Sequence, residues 1–133
     1  MPLDRFSPDD PREWLNRAHS NLVRAQTELP GVYLEDLCFD AQQAAEKALK
    51  ALLLELGIRF PLTHDLNKLL ELILQAGVAI PDRIREAVVL SDYAVSTRYP
   101  GVAESPTRLE YLEAVRMAND VVSWVEEILS KDD

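Results

Sequence analysis

The chain has 133 residues, 47% of them apolar, and a formal net charge of −9. That length suits one domain able to bury about two-thirds of its unfolded surface without a covalent staple, and a single cysteine, Cys38, excludes an internal disulfide framework. The acidity excludes non-specific nucleic-acid binding over the whole surface, because that binding runs on basic residues and counterion release.

Glycine and proline concentrate at Pro30-Gly31 and at residues 57–61, 77–81 and 100–106, leaving five segments with helical period and none that alternates like a strand. The first opens on Asp10-Pro11-Arg12-Glu13: a capping carboxylate, a proline at the first helical position and an acid reaching back from the third. Trp14, Ala18, Leu22, Ala25 and Leu29 follow on one face. The second segment, about 34–56, is the longest. Its stripe is Leu37, Ala41, Ala45, Ala48, Leu52 and Leu56, joined by Cys38 and Leu49, with Asp36, Asp40, Gln43, Lys47 and Lys50 opposite. Phe39 and Leu54 sit on that opposite side, as in a central helix covered on both faces, and they are the candidate residues of a subunit interface.

Thr63-His64-Asp65 starts the third segment, which carries Leu66, Leu69, Leu70, Ile73 and Leu74 and stops at Gly77. The fourth runs from about Asp82 through Ile84, Ala87, Val88, Ser91 and Val95, and must end near Tyr99, since a residue before proline is pushed out of the α region. Ser105-Pro106 reads as a cap and first position for the last helix, with Leu112, Val115, Ala118, Val122, Val125 and Leu129 on one face. Five amphipathic helices with short connections make an all-α, up-and-down antiparallel bundle, one domain over residues 1–133 with its core at about 11–130.

Most strong chemical signatures are missing. One cysteine and two separated histidines, His19 and His64, cannot build a zinc site, and four glycines cannot supply a phosphate-binding loop, so neither metal nor cofactor is expected. The first ten residues contain no apolar stretch of signal-peptide type, and apolar runs such as 51–54 are far too short for a membrane span. A soluble, cytoplasmic protein is the expectation, and an unpaired thiol suits that reducing compartment. Cys38 in an apolar run reads as a small core residue before it reads as a nucleophile.

Two features carry possible chemistry. Gln43, Glu46, Lys47 and Lys50 share one side of the second helix. They read either as an ordinary exposed face with an i,i+4 pair worth a few tenths of a kcal/mol, or as a polar cluster that apolar neighbours partly exclude from water. Arg98-Tyr99-Pro100-Gly101 is a helix stop, and also a guanidinium fork beside an aromatic ring, a pairing that suits a phosphate with a stacked base. His64 is a capping or surface residue unless the fold brings it a partner.

The run from Cys38 through Ala41-Gln42-Gln43-Ala44-Ala45-Glu46-Lys47-Ala48-Leu49-Lys50-Ala51-Leu52, then Thr63-His64-Asp65-Leu66, then Thr97-Arg98-Tyr99-Pro100, resembles the HEPN family of small prokaryotic helical proteins. The three blocks stand in the family's order over nearly the whole chain. The resemblance implies a five-helix bundle that commonly pairs as a homodimer and often works beside a small nucleotidyltransferase in toxin–antitoxin-like modules. Some such proteins are metal-independent ribonucleases with an Arg-x4–6-His motif near the start of a late helix; others are proposed nucleotide-binding or scaffold domains. Arg59 with His64 and Arg12 with His19 match that motif literally, but neither pair is in the late position, and no histidine closely follows Arg98. The expectation is therefore an accessory module that binds a nucleotide, RNA or phosphate group, or a nucleotidyltransferase. Arg98, Tyr99, Lys47, Lys50, Gln43 and Glu46 are its candidate ligand residues, and His64 is its weakest. The rivals are a ribonuclease using His64 with Arg59 or Arg98, and a purely structural dimerisation domain.

Overall fold

A computed structural model describes residues 3–94 and 105–131. Its elements in order are α1 (Pro11–Gln26), α2 (Leu34–Glu55), α3 (Leu66–Gln75), α4 (Asp82–Arg85) running into a 3-10 helix (Glu86–Ala94), and α5 (Arg108–Lys131). The described residues contain no strand. The all-α five-helix bundle is therefore the fold, and α2 is its central member. It packs most extensively on α1 and α5 and also meets α3 and the 3-10 helix. One continuous apolar core runs through all of these elements.

The helix ends show why the sequence divides where it does. Asp10 caps α1 by accepting the Arg12 N–H at 2.9 Å. Glu13 reaches back further than a capping box would: it is buried and accepts the Phe6 N–H at 2.9 Å and Arg17 Nε at 2.8 Å, tying down the segment before the helix. At the end of α2, Gly57 adopts φ +72°, Gly57 N–H donates to the Leu54 carbonyl, and Ile58 N–H donates to that of Leu53 at 2.9 Å. This is a Schellman closure, and it turns the chain back along α2. Gly57→Ala is expected to cost about 1–2 kcal/mol, because a Cβ is strained in the left-handed region even where space is free; urea unfolding checks it.

Some boundaries differ from expectation. The last helix is capped at Thr107, not Ser105: Thr107 Oγ1 accepts the Glu110 N–H at 3.1 Å, and the Glu110 carboxylate accepts the Thr107 N–H at 2.8 Å. This reciprocal capping box satisfies two otherwise orphaned donors, which a lone serine two residues earlier would not. Its buried face accordingly starts at Tyr111 and Ala114, and Leu112 is exposed. Tyr111 donates its hydroxyl to the Ala25 carbonyl at 2.5 Å, fixing α5 against the end of α1. Thr107→Ala should lower stability by about 1 kcal/mol, again measurable by urea unfolding. Leu29 lies beyond α1, and both it and Leu74 are exposed. The fourth segment is α-helical for one turn only. It continues as a nine-residue 3-10 helix, longer than such helices usually run, with Ile84, Ala87 and Leu90 still buried. Val95 lies outside the described residues.

Candidate functional site

The polar side of α2 is not an exposed face. Glu46 is 3% exposed, Lys50 6% and Gln43 9%, and Gln42 and Asp40 are buried with them. The cause is the turn at Gly57. The loop that follows runs back along α2, placing Phe60 near Lys50 and His64 beside Glu46. The Gln42 side-chain amide anchors this loop by donating to the His64 carbonyl at 3.1 Å.

Glu46 is the hub. Its Oε1 faces His64 Nδ1 at 2.8 Å and accepts Gln42 Nε2 at 3.1 Å, while Oε2 accepts Lys50 Nζ at 2.9 Å. Gln43 Nε2 donates to Gln42 Oε1 at 2.6 Å and lies 3.5 Å from Glu46 Oε1. Burial pushes the Glu46 carboxyl up, but hydrogen bonds from Lys50, His64 and Gln42 outweigh it, and the group sits below its ordinary value of 4.5. Lys50 Nζ also lies 5.7 Å from the Trp14 ring and 5.3 Å from the Phe60 ring, which themselves pack edge-to-face at 5.4 Å. Trp14 satisfies its own N–H on the Pro8 carbonyl at 2.7 Å. Lys50 therefore spends its charge internally.

His64 is the outward member, with its side chain 48% exposed. A carboxylate opposite Nδ1 holds the ring proton there. Nε2, across the ring, meets no described hydrogen-bonding group. Burial of Glu46 thus gives His64 the partner that sequence could not supply.

Lys47 belongs to a second, adjacent set. Its ammonium donates to Asn21 Oδ1 at 2.8 Å, Asn21 Nδ2 donates to Asp40 Oδ1 at 3.0 Å, and Arg24 Nε lies 3.5 Å from Asp40 Oδ2. Burial lowers the Lys47 pKa below its ordinary value. This group fastens α1 to α2.

Arg98 and Tyr99 lie outside the described residues. Arg59 is exposed at the start of the loop that carries His64. Arg12 and His19 do not form a pair: Arg12 holds Asp10 at 2.8 Å, and His19 Nε2 lies 3.1 Å from Glu126. Cys38 is buried in the core against Tyr93, and burial pushes its thiol up to about 11, far from the thiolate a nucleophile needs. No group of His, Cys, Asp and Glu among the described residues is arranged to hold a metal, and no described helix is long and apolar enough to cross a membrane.

Phe39 lines a groove of about 550 Å3 with Val23, Leu29 and Val32, three exposed apolar side chains at the α1–α2 turn. Leu54 is partly buried and lies 15 residues further on, about 22 Å along α2, so the two candidate interface residues are far apart.

The sequence model of the HEPN domain matches residues 11–128. The chain belongs to the HEPN family. Two solved structures are similar to it. The crystal structure of TT1696 from Thermus thermophilus is 38% identical, with 88% of this chain and 96% of that one covered and a TM-score of 0.73. ST0689, an archaeal HEPN homologue, is 28% identical over 89% and 96% of the two chains, with a TM-score of 0.71. No curated protein matches the chain. Within this HEPN bundle, sequence reading missed Gln42, Trp14, Phe60, Asn21 and Asp40. Gln42 left a partial signal, since an amide four residues before Glu46 shares its helix face and can hydrogen-bond to it. Trp14 and Phe60 left no local signal, because only the folded chain brings residues 46 positions apart into contact.

Proposed function

We propose that this HEPN chain is an accessory binding module of a toxin–antitoxin-like pair, presenting His64 to a phosphate group of a nucleotide, including one held by a small nucleotidyltransferase partner. The observation that carries this is the buried Glu46 carboxylate gripping His64 Nδ1 at 2.8 Å while the His64 side chain stays 48% exposed. A ring held in this way can donate from Nε2 to a phosphate oxygen when protonated, with less rotamer freedom left to lose. Glu46, Lys50, Gln42 and Gln43 position that ring and hold the loop. Arg98 and Tyr99 are assigned the phosphate grip and the base contact on residue chemistry alone. The Phe39 groove supplies an apolar surface for a second copy or for the nucleotidyltransferase.

A thermal-shift panel with nucleoside mono-, di- and triphosphates tests the ligand. At about a hundred times its dissociation constant a ligand stabilises by roughly 2.7 kcal/mol, and the rise is expected to disappear in Arg98→Ala and His64→Ala. The absence of any shift would leave only the partner-protein half of the proposal, for which co-purification with a nucleotidyltransferase is the readout. Phe39→Asp should weaken dimerisation in analytical ultracentrifugation; an unchanged dimer would move the interface elsewhere.

The same dyad favours one other function. A histidine oriented by a carboxylate is how a general base is built, and Arg59 or Arg98 would stabilise phosphate charge in a metal-independent ribonuclease. Single-stranded RNA incubated with the protein and a chelator decides it. A binding module leaves the RNA intact, whereas cleavage lost in His64→Ala would make the chain an enzyme.

A further inference from the structure

The loop between α2 and α3 carries an apolar side chain that nothing in the fold uses. Leu62 is 100% exposed, although the residues on either side of it are tied down. The Phe60 ring packs edge-to-face on Trp14 at 5.4 Å, Thr63 Oγ1 accepts the Asp65 N–H at 3.0 Å, and His64 Nδ1 faces Glu46 at 2.8 Å. Pro61 stiffens the stretch between these anchors. A leucine displayed on an anchored loop offers contact area with little ordering left to lose on association.

The same loop forms one wall of an open cleft of about 600 Å3, through Arg59, Phe60 and Pro61. Lys68, Leu72 and Gln75, on successive turns of α3, form the other wall. Phe60, Pro61 and Leu72 make its interior apolar, and Leu62 extends that surface beyond Pro61.

The charges at this cleft run against the rest of the surface. The chain has 23 acidic residues against 14 lysines and arginines, so carboxylates are in excess. Arg12, Arg17, Arg108 and Arg116 each hold one within 3 Å. Arg59 and Lys68 are exposed, one on each wall, and neither meets a carboxylate within 4 Å among the described residues. Glu71, three residues after Lys68, instead accepts Asn67 Nδ2 at 3.1 Å. Two unneutralised cations flank an apolar cleft, which is the complement of an apolar surface edged with acids.

We propose that this cleft docks an acidic amphipathic helix of a partner protein. Its leucine-like side chains pack on Phe60, Pro61, Leu62 and Leu72, and its carboxylates meet Arg59 and Lys68. A helix suits the site better than an added strand: the described residues contain no strand, hence no open edge to pair with, and α3 presents side-chain ridges into which another helix can pack. The surface goes beyond the function proposed above, since neither the Glu46–His64 pair nor the Phe39 groove takes part in it.

Fluorescence anisotropy tests it with a labelled peptide of about 15 residues, long enough to reach helical form on binding. The peptide carries leucines at i, i+3, i+4 and i+7 and glutamates elsewhere. It is expected to bind the full chain at low salt, and to weaken as salt is added. A peptide of the same composition with its leucines spread round the helix, and one with lysines for glutamates, should bind at least about tenfold more weakly. Arg59→Glu and Lys68→Glu should each weaken the acidic peptide on the order of tenfold, because each turns an attraction into a repulsion. Leu62→Ser should weaken it as well. All three side chains are exposed, so helicity by circular dichroism should stay unchanged. In amide NMR spectra the peptide should shift residues 59–62 and 68–75. No binding of the acidic peptide, equal binding of either control, undiminished binding by the Arg59/Lys68 double variant, or shifts confined to other residues would overturn the site. Loss of the protein's own self-association in the double variant would give the cleft to a second copy and overturn the partner.

Discussion

Glu46→Ala is expected to destabilise the fold by about 3–5 kcal/mol, the usual cost of breaking a buried ion pair by removing one partner. The change strands the Lys50 ammonium, 8% exposed at its side chain, between the Trp14 and Phe60 rings, and frees the Gln42 amide and His64 ring that hold the following loop. Urea unfolding gives the number. The control is Glu46→Leu with Lys50→Leu, which removes both charges together and should cost far less, because no uncompensated charge remains. A single variant no worse than this double one would mean that Lys50 escapes to water. Acid should reproduce part of the effect. The folded-state value of Glu46 lies below the unfolded 4.5, so the unfolded chain takes up the proton first as pH falls. The Glu46 contribution is complete above about 4.5 and is lost as pH drops through the lowered folded value. The gap in stability between wild type and the Leu/Leu variant should therefore shift against the wild type between neutral pH and about pH 3.

Leu53→Ala is expected to cost about 2–5 kcal/mol, against less than about 1 kcal/mol for Leu54→Ala. Leu53 is fully buried in the core, and its carbonyl also closes the Gly57 turn; its neighbour Leu54 is only partly buried. A cavity at Leu53 is walled by the central helix's neighbours and cannot collapse easily, whereas the surroundings of Leu54 can close over the lost volume. Paired urea unfolding of the two variants measures the difference. Equal costs would mean that Leu54 is covered, as it would be in a dimer that includes that surface.

These two experiments separate what the one-dimensional chain states from what the folded one decides. Helix number, order and most ends were legible, because glycine, proline and capping residues act within a few positions of one another: Asp10, Gly57, Asp65 and Gly77 punctuate the chain as their local chemistry requires. Local signals can compete: Ser105-Pro106 and the reciprocal Thr107–Glu110 box both offer a start for α5, and the structure uses the second. The stripe of α2 was legible on one side only. Helical period shows which residues align, and Gln43, Glu46, Lys47 and Lys50 do align, but period does not show what lies over them.

Glu46 is buried because the loop after Gly57 returns along α2 and because Trp14 arrives from α1. Neither event is written near Glu46 in the chain. By itself, the sequence determined an acidic all-α bundle, since propensity, capping and apolar period are short-range properties, and its three motif blocks carried the resemblance to the HEPN family. Only the tertiary structure turned a charged helix face into a closed hydrogen-bonded network and gave His64 its carboxylate. Those outcomes depend on contacts between residues tens of positions apart, and burial there sets both the charge state of a group and what remains for it to bind.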